Sequence, residues 1–186
     1  MSATVAALYI DPRGYYPRML GVEWWDLSRD ARLYDGPHPV VAHPPCGPWS
    51  KLRHMYRGDE HDCAPRALEQ VRRFGGVLEH PAESQLWRRY KLPLPHEGYD
   101  PYGRTIEVEQ VRWGHVARKR TWLYLVGVRK RIELPPARKP THWCSGWHDA
   151  ARPIPSGMKA ASTEQIRRTP PAFAEWLVSL ARSVRR

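Results

Sequence analysis

Pro44-Pro45-Cys46-Gly47-Pro48-Trp49-Ser50 holds one thiol in a segment stiffened by proline, which fixes φ and removes backbone donors. A stiff loop after an apolar run can present a sulfur at a defined point. Cysteine becomes an effective nucleophile once nearby cations lower its pKa. A small buried cysteine without chemistry fits this segment equally well. Val77-Leu78-Glu79-His80-Pro81 is a second apolar run ending in proline, and it carries a carboxylate. Arg118-Lys119-Arg120 adds a cluster of cations further along. Thiol, carboxylate and cations together suit nucleophilic addition with assisted proton transfer.

The elements that must position these residues follow from hydrophobic patterning. Val5–Ile10 and Val40–His43 read as short buried strands, the second running straight into the Cys46 loop. Asp62 to Phe74 has helix composition, with Ala64, Leu68 and Val71 on one face, and Gly75-Gly76 ends it. Val77-Leu78-Glu79 is a strand, Ser84–Tyr90 a short helix and Leu92–Tyr102 a loop. Ile106–Val111 and Trp122–Val128 read as strands, and Pro170–Val184 as a helix whose Phe173, Trp176, Leu177 and Leu180 stripe is core. Strands alternating with helices give an α/β fold, a mostly parallel sheet with helices on both faces. In such sheets ligands sit at the carboxyl ends of the strands, where Cys46 and Glu79 fall.

The 186 residues are expected to form a single domain, 1–186. Thirty Lys+Arg against nineteen Asp+Glu give a net charge of +11, which favours a polyanionic partner, nucleic acid first. Three cysteines are an odd number without paired spacing, so a reducing cytoplasm is expected rather than a disulfide scaffold. No apolar run approaches the roughly 20 residues of a membrane span, and the apolar N-terminal stretch is too short for a signal peptide. His142-x-Cys144-x3-His148 offers ligand types but not the tight paired spacing of zinc motifs, so no metal is assigned. Arg129, Lys130 and Arg131, with Trp143 and Trp147, combine cations and aromatic rings suited to DNA contact, against the alternatives of a solvated strand end and core packing.

The Pro-Cys loop resembles that of the DNA cytosine-C5 methyltransferases, and three further segments follow in that family's order. Val77-Leu78-Glu79-His80-Pro81 resembles its Glu-Asn-Val strand end. Trp113-Gly114, then Arg118-Lys119-Arg120 and Leu123–Gly127, resemble its Gln-x-Arg-x-Arg segment and following strand. Thr169-Pro170-Pro171-Ala172-Phe173-Ala174 resembles its last motif. Near the start, Glu23-Trp24 is similar to the pair that holds S-adenosylmethionine. The resemblance implies a reduced Rossmann-like methyltransferase fold of phage or mobile-element type, in a bacterial or phage-infected cell. It implies Cys46 as the nucleophile at C6 of a flipped cytosine, and Glu79 as a carboxyl that holds a proton for N3 and contacts the exocyclic amine. Arg118 and Arg120 would position the base and lower the thiol pKa. Glu23 and Trp24 would hold S-adenosylmethionine, with Asp11, Gly14 and Asp30 as further cofactor candidates.

The chain departs from that pattern at specific places. Its first turn, Asp11-Pro12-Arg13-Gly14-Tyr15-Tyr16, has one glycine where the family has a Gly-rich loop, and too few residues precede Glu23 for a full helix. The glutamine of Gln-x-Arg-x-Arg is absent, and Gln110 lies too far upstream to align simply. His80 replaces the asparagine. Residues 129–159 are a small recognition region at most. Three readings follow: cytosine C5 methylation, donor-independent or other one-carbon chemistry at pyrimidine C5 through the same adduct, and a non-catalytic DNA-binding protein. A homodimer completing the shortened site stays open.

Overall fold

The computed structural model describes residues 3–50, 53–144 and 154–185. Six strands form one sheet: β1 (Val5–Leu8), β2 (Val22–Trp25), β3 (Val40–Ala42), β4 (Gly76–Pro81), β5 (Gly103–Glu109) and β6 (Arg120–Val126), in the order β2-β1-β3-β4-β6-β5. β2, β1, β3 and β4 are parallel, whereas β6 runs antiparallel to both β4 and β5. The mostly parallel α/β expectation therefore holds, with one reversed strand inserted beside β4. The strand order changes direction at β1 and β3, the kind of switch point outside which ligands bind.

Alternation along each strand divides the core in two. Ala6, Leu8, Val40, Ala42 and Leu78 face helix α1 (Cys63–Phe74), which contributes Ala64, Ala67, Leu68 and Val71. Val5, Ala7, Val41 and Val77 face helix α4 (Pro171–Ala181), which contributes Phe173, Leu177 and Leu180. Pro65 is tolerated in α1 because it falls in the first turn, where N–H groups lack intrahelical partners. Gly76 (φ +125°) opens β4; a Cβ there would lie 1.9 Å from the Val40 carbonyl oxygen, so no larger residue lets β3 and β4 pair.

The connections fit the expected shortening. A 3-10 turn, Tyr16–Arg18, is the only helical piece between β1 and β2, and another, Ala31–Leu33, lies before β3. Helix α2 (Gln85–Tyr90) follows β4 and is capped by Ser84, whose Oγ accepts from Leu86 N at 3.2 Å. β2 was not among the expected strands. The expected strand over Ile106–Val111 is displaced: β5 ends at Glu109, and Gln110–Trp113 is a 3-10 turn. A two-residue ribbon, β7 (His142–Trp143) with β8 (Lys159–Ala160), and the short helix α3 (Thr163–Arg167) precede α4. Among the described residues no helix is long and apolar enough to cross a membrane.

Candidate functional site

Glu79 stands on the α4 side of β4, near its carboxyl end, and is 9% exposed. Its Oε2 lies 3.2 Å from His43 Nδ1 and its Oε1 accepts from Gln110 Nε2 at 2.9 Å. His43 Nε2 in turn lies 2.6 Å from the Tyr16 hydroxyl. Gln110 Nε2 also reaches Thr121 Oγ1 at 3.0 Å, and that hydroxyl donates to the Lys119 carbonyl at 3.1 Å. Four other segments thus gather around one buried carboxylate.

Burial alone would raise the Glu79 carboxyl. The His43 hydrogen bond and charge, followed by the charges of Lys119 and His80, outweigh it and hold the group at about 2. The expectation that Glu79 stores a proton is therefore corrected: it rests as a carboxylate. An ionised carboxylate only accepts, so His43 Nδ1 carries a proton.

Cys46 follows β3 and opens the 3-10 turn Gly47–Trp49; Trp49 N donates to its carbonyl at 3.0 Å. Gly47 has no room for a side chain, since a Cβ would lie 2.3 Å from the Tyr56 ring. Cys46 is exposed, yet enough protein surrounds the sulfur that desolvation is the largest influence on it. Burial raises the thiol, the Glu79 charge raises it further, and Lys119 and Arg167 oppose them. The resting sulfur is a thiol.

Lys119 is the cation that faces this group. It is 8% exposed, and its Nζ lies 3.4 Å from the Arg168 carbonyl oxygen. Burial lowers its pKa, while Glu79, Cys46 and Cys144 pull it back up. Arg118 and Arg120, expected in this role, are engaged elsewhere. Arg118 pairs with Glu109. Arg120 binds Glu107 at 2.7 Å and Glu83 at 2.9 Å, with Trp122 Nε1 donating to the same Glu107 at 2.8 Å. Alternation along β6 puts Arg120 and Trp122 on the α1 side and Thr121 on the Glu79 side.

The acidic residues expected to hold S-adenosylmethionine are engaged by neighbouring side chains. Asp11 is bound by Arg13 at 2.8 Å, and Gly14 N closes a turn onto the Asp11 carbonyl. Asp30 caps Ala31–Leu33 and pairs with Arg32 at 2.8 Å. Glu23 pairs with Ala6 in mid-strand, accepts from Trp25 Nε1 at 2.9 Å and lies 3.5 Å from Arg29. Trp24 points to the opposite face and packs into the α4-side core. Each of the three carboxylates is thus held by a side chain of its own segment.

The expected DNA contacts also separate from the thiol. β6 runs antiparallel, with Val126 opposite Gly76, so Arg129, Lys130 and Arg131 emerge at the amino end of β4. At about 3.3 Å per residue that is roughly 15–20 Å from Glu79's end of the sheet. There Arg129 N and Lys130 N donate to Ser183 Oγ at 3.2 and 3.0 Å, and Lys130 Nζ to Ser179 Oγ. Arg131 lies 3.9 Å from Glu133. Trp143 sits half-buried in β7. Trp147 and His148 lie outside the described residues, among which no group of His, Cys, Asp or Glu could hold a metal ion.

Sequence reading missed His43, Tyr16, Lys119 and Gln110 as site residues. Spacing alone puts Gln110 too far upstream, but the reversal between β5 and β6 brings its N–H to the Lys119 carbonyl at 3.1 Å. Comparison with family models, curated proteins and solved structures finds no match.

Proposed function

We propose that this protein modifies cytosine in DNA through a covalent Cys46 adduct, most simply at C5. The observation that carries the reading is the joint placement of the Cys46 thiol, the Glu79 carboxylate and the Lys119 ammonium at the carboxyl ends of β3 and β4. In this reading the Cys46 thiol loses its proton, with Lys119 favouring the anion. The S–C6 bond forms, the C5–C6 π pair shifts to C4–C5 and the C4–N3 pair to N3, and N3 takes up from solvent the proton that the thiol released. Glu79, already ionised, accepts from the exocyclic amine, and the His43–Tyr16 chain is the proton-carrying side of the site. The electron-rich C5 then takes an electrophile; N3 returns its proton to solvent, water accepts the C5 proton, and the C5–H pair re-forms the C5–C6 double bond as the thiolate departs. The base must leave a duplex to be reached, at a cost of roughly a few kcal/mol.

S-adenosylmethionine is the methyl donor the resemblance implies. The engagement of Asp11, Glu23 and Asp30 by neighbouring side chains favours a second reading, in which the adduct forms without that donor. Its simplest donor-free outcome is exchange of the C5 hydrogen with solvent.

A covalent trap separates the readings. The protein is incubated with DNA containing 5-fluorocytosine, with and without S-adenosylmethionine, and with Cys46→Ser as control. Exchange at cytosine C5 is followed in deuterated water. A donor-dependent adduct lost in Cys46→Ser supports methylation. Cys46-dependent exchange without donor supports the second reading. Neither adduct nor exchange, with DNA still bound, overturns covalent chemistry and leaves a non-catalytic binding protein.

A further inference from the structure

An open cleft lies beside the Cys46 loop. It holds about 470 Å³ and is lined by Pro48, Trp49, Arg53, Gln85, Arg88, Arg89 and Lys91. One wall is the turn that begins at Cys46 and the other is α2, which follows Glu79 by a few residues. The two strand ends that carry the candidate chemistry therefore also carry the cleft.

Its charge is one-sided. Four of the seven lining residues are cations and none is acidic. Several arginines elsewhere have a carboxylate partner: Arg13 with Asp11, Arg32 with Asp30 and Asp62, Arg66 with Glu69, Arg72 with Asp100, Arg73 with Asp35, and Arg120 with Glu107 and Glu83. Among the described residues Arg53, Arg88, Arg89 and Lys91 have no carboxylate partner, and all four are exposed. What sets these four apart is that they surround one concavity with no acidic residue in its lining. Trp49 stands half-buried in the same wall, its ring 6.1 Å from that of Tyr90.

We infer that this cleft binds one strand of single-stranded DNA, with phosphates on Arg53, Arg88, Arg89 and Lys91 and an unpaired base against Trp49. A cationic groove with an aromatic platform is the recurring solution for single strands, because every base has a face to stack. A duplex is read instead by elements that protrude into its grooves, and this surface is concave. The inference rests on the proposed function for the kind of polyanion. It assigns the strand form, and it puts the binding surface here rather than at Arg129–Arg131.

The test uses Cys46→Ser protein, which cannot form the adduct, so binding is read apart from chemistry. Fluorescence anisotropy measures affinity for a labelled oligo-dT strand and for a duplex of equal length across a salt series. The combined Arg53→Ala, Arg88→Ala, Arg89→Ala variant keeps α2, since alanine is the best helix former. Its single-strand affinity is expected to fall at least about tenfold, and the slope of log affinity against log salt by about 2. Trp49→Ala is expected to lose roughly tenfold with little change in slope. Combined replacement of Arg129, Lys130 and Arg131 by alanine is expected to leave single-strand affinity within about twofold. Unchanged single-strand binding in the Arg53/Arg88/Arg89 variant overturns the inference, as does a preference for duplex that this variant retains. If binding behaves as stated but no adduct or exchange is found with wild-type protein, the cleft stands and the covalent reading falls.

Discussion

His43 Nδ1 and Glu79 Oε2 meet at 3.2 Å, each one residue beyond the Ala42–Leu78 pair that closes the β3–β4 register. A contact set by strand pairing persists without substrate. The carboxylate is therefore preorganised, and its protonation is coupled to the stability of the fold.

Acid should unfold the protein in two stages. His80, 1% exposed, is held by burial at about 4, against the pull of Glu79 and the Pro45 carbonyl. An unfolded histidine binds its proton near 6.5, so this stability is full above about pH 6.5 and is lost as pH falls toward 4. Glu79 is depressed from 4.5 to about 2, so its contribution is full above about pH 4.5 and is lost as pH falls toward 2. Each stage is on the order of 3 kcal/mol. Urea melts across pH should show His80→Phe flattening the first stage and Glu79→Gln the second; unchanged profiles would remove both assignments.

Lys119→Met should slow alkylation of Cys46 by iodoacetamide at neutral pH and move its pH profile upward, roughly tenfold in rate for each unit of pKa. Glu79→Gln should move the profile the other way, since the carboxylate raises the thiol. Lys119→Arg should restore part of the loss. Mass spectrometry of the Cys46 peptide keeps the buried Cys63 and Cys144 out of the measurement.

Arg120→Ala should cost about 1–2 kcal/mol by removing the cation that Glu107 and Glu83 share, and leave the Cys46 alkylation profile where it was. Arg118→Ala breaks a half-exposed pair and should cost less than about 1 kcal/mol. A clear shift of the thiol profile in either variant would return the arginine to the site.

Gly47→Ala should disturb the Cys46 loop without unfolding the sheet, because its Cβ would overlap the Tyr56 ring. We expect any adduct or exchange activity to drop severalfold with little change in thermal stability. Adding Tyr56→Ala should recover much of it, which a double-mutant cycle reads directly.

Much of the frame was legible in the residues. The buried runs at Val5, Val40 and Val77, the helix ending at Gly75 and the helix starting at Pro171 are written in apolar spacing and in glycine and proline. β2 was hidden because Val22-Glu23-Trp24-Trp25 pairs on one edge only and mixes charge with aromatic rings. Cys46 and Glu79 stood out because each ends an apolar run at a proline. Their partners did not. His43, Gln110 and Lys119 acquire meaning from strand register and from the reversal into β6, and neither property has a signature in composition. The cations were legible as a total and not as an allocation. Charge pairing between distant segments decides that Arg120 is spoken for and Arg88 is free.

The reversed strand has one further consequence, for how this chain tolerates insertions. β6 enters the sheet at the rim where β4 leaves it, and Ala82 N donates to the Arg120 carbonyl at 3.1 Å across that rim. A residue added between Gly114 and Arg118 would carry Lys119 away from Glu79 while the sheet stayed intact. The same addition near Arg131 would lengthen a connection at the opposite rim and leave the cation in place. Lengthening the chain should therefore separate the geometry around Glu79 from folding at one rim and affect neither at the other.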